Sequence, residues 1–165
     1  MLPELAQLDP VPEEAAYLAF LSRLQNDPAL QRLVKTWVIW DGDPADAEPP
    51  SSDMTPWIRI TPSPAPTEWL VQNGYMGELQ VPIVLDLELS IADLSAIARM
   101  RFWHLVRSAA MPSDPVARPA ASAAMAAVGV NNVLNPKSGY GIDSTVDGNL
   151  IISKAQFVLN LTVDA

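Results

Sequence analysis

The sequence predicts one α+β domain: a mostly antiparallel β-sheet with helices packed on one face and one long strand that protrudes beyond the core. Three observations predict it. Apolar side chains recur at helical spacing in residues 17–24 and again in 94–109. Every odd position from 79 to 91 is apolar, the period-two pattern of a half-buried strand. A second alternating run, 157–163, lies near the end of the sequence, so the chain order is helix, strands, helix, strands. With 165 residues, 49% hydrophobic and 18% charged, the chain can fill one core and is not disordered throughout. No internal repeat or second domain is visible. Residues 1–165 are therefore one unit, with an N-terminal arm at 1–11, an acidic proline-rich loop at 41–56 and an irregular Ala/Pro/Asn-rich insert at 112–141.

The elements follow in order. Pro12, Glu13 and Glu14 make a first helical turn, with proline at N1 and acids where the helix dipole favours them. Tyr17, Phe20, Leu21 and Leu24 form its apolar stripe. Asp27 and Pro28 break and restart the helix as N-cap and N1. Residues 36–40, β-branched and aromatic, predict a short strand, and residues 57–61 another, ended by Pro62. Pro64 and Pro66 hold an extended run, and Asn73-Gly74 offers a tight turn. The alternation of 79–91 then gives a strand of roughly 40 Å, with Glu78, Gln80, Asp86 and Glu88 on its polar face. Pro82 has no N–H for the ladder, so the strand is at an edge there or carries a bulge. Ser90 and Asp93 form a capping signal for a helix to about residue 110. Its buried stripe is read as Leu94, Ile97, Ala98, Phe102, Leu105 and Ala109, with Arg99, Trp103 and Arg107 on another face. A short Ala-rich helix falls near 120–128, Gly148-Asn149 turns into 150–153, and 155–163 is the last strand.

Charge is uneven. The formal net charge is −9. Residues 41–94 hold ten acids against one base, Arg59, whereas residues 95–118 hold four arginines against Asp114. Such a chain lacks the clustered bases of a nucleic-acid grip. The split suits head-to-tail contact between identical subunits, and it equally suits two solvated faces. Trp37, Trp40 and Trp57 belong to strands, while Trp69, with Tyr75 nearby, sits in an extended loop where either a partner or the domain itself would cover it. No secretory signal is visible, and the longest charge-free apolar stretch, 119–130, is about half of the ~20 residues of a membrane span.

The inventory for catalysis is short. The absence of cysteine removes disulfides, thiolate chemistry and Cys-type zinc sites. His104 is the only histidine, set between Arg101 and Arg107, and no serine lies in a nucleophile elbow. Pro136-Lys137-Ser138 lacks the glycines of a phosphate loop. An EF-hand count from Asp41 puts Ala45, Asp46 and Ser52 where a ligand, a glycine and a glutamate belong. The expectation is a non-catalytic protein without a metal or cofactor.

The element order resembles the tail-terminator and tail-completion proteins of long-tailed bacteriophages. The resemblance covers residues 12–163: the N-terminal helix to Lys35, the strand from Trp57 to Pro62 after a variable acidic loop, the long strand 78–90, the helix 93–110 and the strand 155–163. It is a likeness of order and length without a signature motif, and the insert 112–141 departs from it. It implies a virion protein, assembled in the host cytoplasm, that forms a hexameric ring capping the tail tube. Its partners would be further copies of itself, the tail tube protein, the neck or head-closure protein and a tail sheath, with DNA passing through without sequence-specific binding and no membrane contact. In such a ring Asp86 and Glu88 would line the lumen, or meet Arg99 or Arg107 of a neighbour at the seam, and Trp69 and Tyr75 would face a partner. A head-closure, neck or baseplate ring component is the alternative in the same class. A small enzyme or ligand-binding domain using Asp86, Glu88 or His104 is the alternative outside it.

Overall fold

Pro12 starts the first helix as its composition requires, and Asp27 restarts it: the Asp27 carboxylate accepts from the backbone N–H groups of Ala29 (2.9 Å) and Leu30 (3.0 Å). The computed structural model describes residue 9 and residues 11–39, 55–63, 72–73, 78–92, 95–146 and 150–164. Its elements are α1 (Pro12–Gln25), α2 (Pro28–Leu33), β1 (Thr36–Ile39), β2 (Trp57–Ser63), β3 (Gln72–Asn73), β4 (Glu78–Ile91), α3 (Ala96–Ala110), α4 (Ala117–Ala126), β5 (Val130–Lys137), β6 (Ser144–Val146) and β7 (Leu150–Asp164).

The sheet runs β1-β2-β4-β7-β5, with β3 beside β4 beyond the end of β2 and β6 beside β7 beyond the end of β5. All pairs are antiparallel except β1 with β2. The long strand is its centre. β4 pairs with β7 over its whole length, from Glu78↔Asp164 to Ile91↔Ile151. The α+β class and the single helical layer hold, since Phe20, Leu24, Phe102, Val106 and Met125 pack on Ile58, Ile60, Leu85, Leu87, Leu89, Phe157 and Leu159. Phe20 and Phe157 meet at 5.5 Å between ring centroids. Tyr17 donates from its hydroxyl to the Ile60 carbonyl at 3.3 Å and ties α1 to β2. Burial is complete at Leu85, Leu87 and Leu89 and only partial at Val81 and Ile83, so β4 does run out beyond the densest part of the core.

Among the described residues, Pro82 sits in a gap. It pairs with Asn160 of β7, while on the other side β2 ends at Ser63↔Val84 and β3 begins at Gln72↔Gln80. The Thr162 N–H points to Gly129 on the β5 side, so even positions of β7 turn away from β4, odd positions of the two strands bond each other, and the nitrogen of Pro82 faces the gap. The edge predicted for Pro82 is thus local. Pro62, expected to end its strand, lies inside β2. Its place is past Ile39↔Ile60, the last pair with β1, where the missing N–H has no described neighbour to disappoint.

Four further expectations change. Ser90 is a fully buried strand residue and caps nothing; Ser95 is the N-cap of α3, accepting from the Ala98 N–H. The buried face of α3 is Arg99, Phe102, Trp103, Val106, Ala109 and Ala110, whereas Ile97 is 61% exposed. The indole decides this rotation, because Trp103 Nε1 donates to Ser153 Oγ at 2.7 Å inside the core. The insert 112–141 is less irregular than read: besides the expected Ala-rich helix, which is α4, it contributes the sheet strand β5. Finally, residues 150–153 and 155–163 belong to one strand, β7.

Candidate functional site

The sheet face opposite the described helices carries a ladder of charge. Register sets Arg59 of β2, Glu88 of β4 and Lys154 of β7 side by side. Glu88 Oε2 accepts from Arg59 Nε at 2.6 Å and from Arg59 Nη2, and Glu88 Oε1 meets Lys154 Nζ at 2.6 Å. The Arg59 guanidinium also lies over the Trp57 ring, 5.7 Å from its centroid. Glu88 is 8% exposed, so its charge is held by two cations rather than by water. One register step along, Gln156 donates to half-buried Asp86 at 3.0 Å. Val84 and Ser90, on the same face, are buried as well.

This revises the outward acidic face read from alternation. Glu88 is not a free carboxylate, because both its oxygens are engaged within the chain. Arg99 is 7% exposed on the core side of α3 and is not displayed for a neighbour. Arg107 is half-buried with its guanidinium 5.2 Å from the Tyr140 ring centroid. His104 is exposed. Trp69, Tyr75, Trp40 and the acidic stretch 41–54 lie outside the described residues. Among the described residues, no three His, Cys, Asp or Glu side chains converge as a metal site would require. No helix among them is long and apolar enough to cross a membrane.

A second feature was invisible in the sequence. Two adjoining hollows, of about 770 and about 540 Å³, share Arg23, Pro112, Ser113 and Met125. The larger is walled by the alanines of α4, which keep it open by having nothing beyond Cβ. The smaller opens between the start of β5, the α3–α4 connection and α4, and holds Arg23, Arg118, Ser113, Ser122, Asn131 and Asn132. Arg23 crosses from α1 to donate Nε to the Ala109 carbonyl (2.9 Å) and Nη1 to Ala121 (3.5 Å). It thereby satisfies a carbonyl in the last turn of α3 with a cation, as the helix dipole favours. Burial lowers the pKa of Arg23 below its ordinary value. Two stretches far apart in the chain, 19–28 and 108–133, build this groove, and no local pattern announces it.

No protein-family model matches the chain, and no curated protein matches it.

Proposed function

We propose that the protein is a structural subunit of a phage tail-terminator ring, hexameric by resemblance, which closes the tail tube and joins it to the neck while leaving a passage for DNA. The observation that carries the reading is the length of the β4–β7 ribbon. A helix layer covers one face of the sheet, and the fourteen-residue pairing of β4 with β7 continues past the densest core. Such an extension has little to do in an isolated domain and is what a subunit needs to reach its neighbours. The element order that suggested the family is retained. The compensated charges of Arg59, Glu88 and Lys154 suit a framework role, since a catalytic carboxylate needs an oxygen free for substrate.

The test is imaging of the purified protein, alone and with tail tubes from the same particle. Closed rings seated on tube ends support the proposal. Its loss would follow from a protein that stays monomeric with tubes present, or that is located only inside the head. In that event a bound small molecule in native mass spectra would favour a ligand-binding domain.

A further inference from the structure

The smaller hollow keeps two guanidinium groups together in an acidic protein and pairs neither. Arg23 and Arg118 both line it, none of the described residues around it is acidic, and among the described residues neither arginine meets a carboxylate. Arg23 is held in place. Its Nε and Nη1 donate to the carbonyls of Ala109 and Ala121, and among the described residues Nη2 has no acceptor. Arg118, in the first turn of α4, is exposed and free to swing. Ser122 and Asn132 add neutral donors beside them. A fixed cation, a movable one and neutral donors make a set that takes a carboxylate.

The larger hollow has a different chemistry. Ala19, Ala109, Ala117, Ala121 and Ala124 wall it, and Met125 lies where it joins the smaller one. Its two carboxylates serve the backbone. Asp27 caps α2 through the Ala29 and Leu30 N–H groups, and Asp114 accepts from the Val116 N–H at 2.7 Å. Their charge would repel an anionic group placed there but not an apolar one, so the two hollows sort the two ends of a ligand. An apolar trough of about 770 Å³ leads into a cationic one of about 540 Å³, each within the roughly 300–1,000 Å³ of small-molecule sites. We infer that the joined hollows bind a small amphiphilic carboxylate, its head on Arg23 and Arg118 and its apolar body along the alanines of α4. The site stands independently of ring formation, and either can fail alone.

The experiment is calorimetric titration of the full-length protein with decanoate, below the concentration at which decanoate forms micelles. One saturable site per chain is expected, weakened by salt. Octanoate and hexanoate should bind progressively less well, by about two- to fourfold for each CH₂ removed. Decanol offers the body without the charge, and acetate and inorganic phosphate offer the charge without the body. Each should bind at least about tenfold more weakly than decanoate. Arg118→Gln removes an exposed, unpaired cation and should cost about tenfold in affinity. Ala124→Leu keeps the helix and both arginines but fills the trough, and should cost about as much. Circular dichroism verifies both folds. No saturable binding, several equivalent sites, decanol as tight as decanoate, or an affinity indifferent to either substitution overturns the inference. Acetate or phosphate bound as tightly as decanoate overturns it as well, because the trough would then contribute nothing.

Discussion

Gly139 lies flat against the indole of Trp103, so close that a β-carbon built on it would overlap the ring. The neighbouring Tyr140 ring stacks on Arg107 one helical turn away, and together the two contacts fasten the β5–β6 connection over α3. Gly139→Ala should destabilise the fold by about 1–3 kcal/mol, since neither the indole, held by Ser153, nor the backbone has room to yield. Gly141→Ala, where an added methyl meets nothing within 4 Å, is the control and should change the urea midpoint little.

Glu88→Gln should be the most damaging change on the sheet face opposite the described helices. It keeps the shape but leaves Arg59 and Lys154 facing an uncharged amide, a loss of about 1–3 kcal/mol once solvent access to Lys154 is allowed for. Lys154→Met removes only the more exposed cation, and less than about 1 kcal/mol is expected. Equal midpoints for the two variants in denaturant would contradict this ordering.

Asp143 replaces a missing strand. Between the β6 pairing at Ile152 and the β5 pairing at Gln156, its backbone N–H donates to the Ile152 carbonyl (3.0 Å) and its carboxylate accepts from the Lys154 N–H (2.7 Å). Asp143→Ala leaves that amide without its acceptor at the sheet edge. Hydrogen exchange at Lys154 should accelerate, with about 1 kcal/mol lost overall.

Alkaline pH should weaken the α1–β2 junction. Burial raises the pKa of Tyr17 above 10.0, and its hydroxyl donates to Ile60. The folded chain therefore keeps a proton that the unfolded chain has released, so stability present below pH 10 is lost as pH climbs through the raised value. Tyr17→Phe should be less stable at neutral pH yet show a shallower fall above pH 10 in parallel melts. An identical alkaline limb in both proteins would refute the assignment.

Much of this architecture is legible from local pattern. The alternation of Leu85, Leu87 and Leu89, the stripe of Phe20, Leu21 and Leu24 and the Asp27-Pro28 junction each report on neighbours a few residues away, and each survives in the structure. What fails is non-local. An even position on β4 reads as solvent-facing, but Glu88 is buried because pairing brings Arg59 and Lys154 to either side of it. Ser90 mimics a cap because Ser-x-x-Asp is a helix-start signal wherever it falls, and here it overlaps the end of the apolar alternation that runs on to Ile91. β5 hides behind Asn131, Asn132 and Pro136 and two register shifts, and its unsatisfied partner, the Gln156 carbonyl, is met by the Asn135 amide at 2.8 Å. The groove at Arg23 depends on where the first helix comes to rest against residues 108–133, which no window of sequence records.

The full-length pairing of β4 with β7 also sets a timetable for synthesis. The strand that completes the middle of the sheet follows the strand it joins at a distance, its residues lying 60 to 86 positions after their partners. While the ribosome is still making α3, α4 and β5, β4 has one edge unpaired and its leucines lack the facing Phe157 and Leu159. The nascent chain thus passes through a stage with an open, apolar strand edge, the condition in which chains pair with one another instead of with themselves. Closure must come in one late, long-range step, so folding belongs among the slower single-domain reactions.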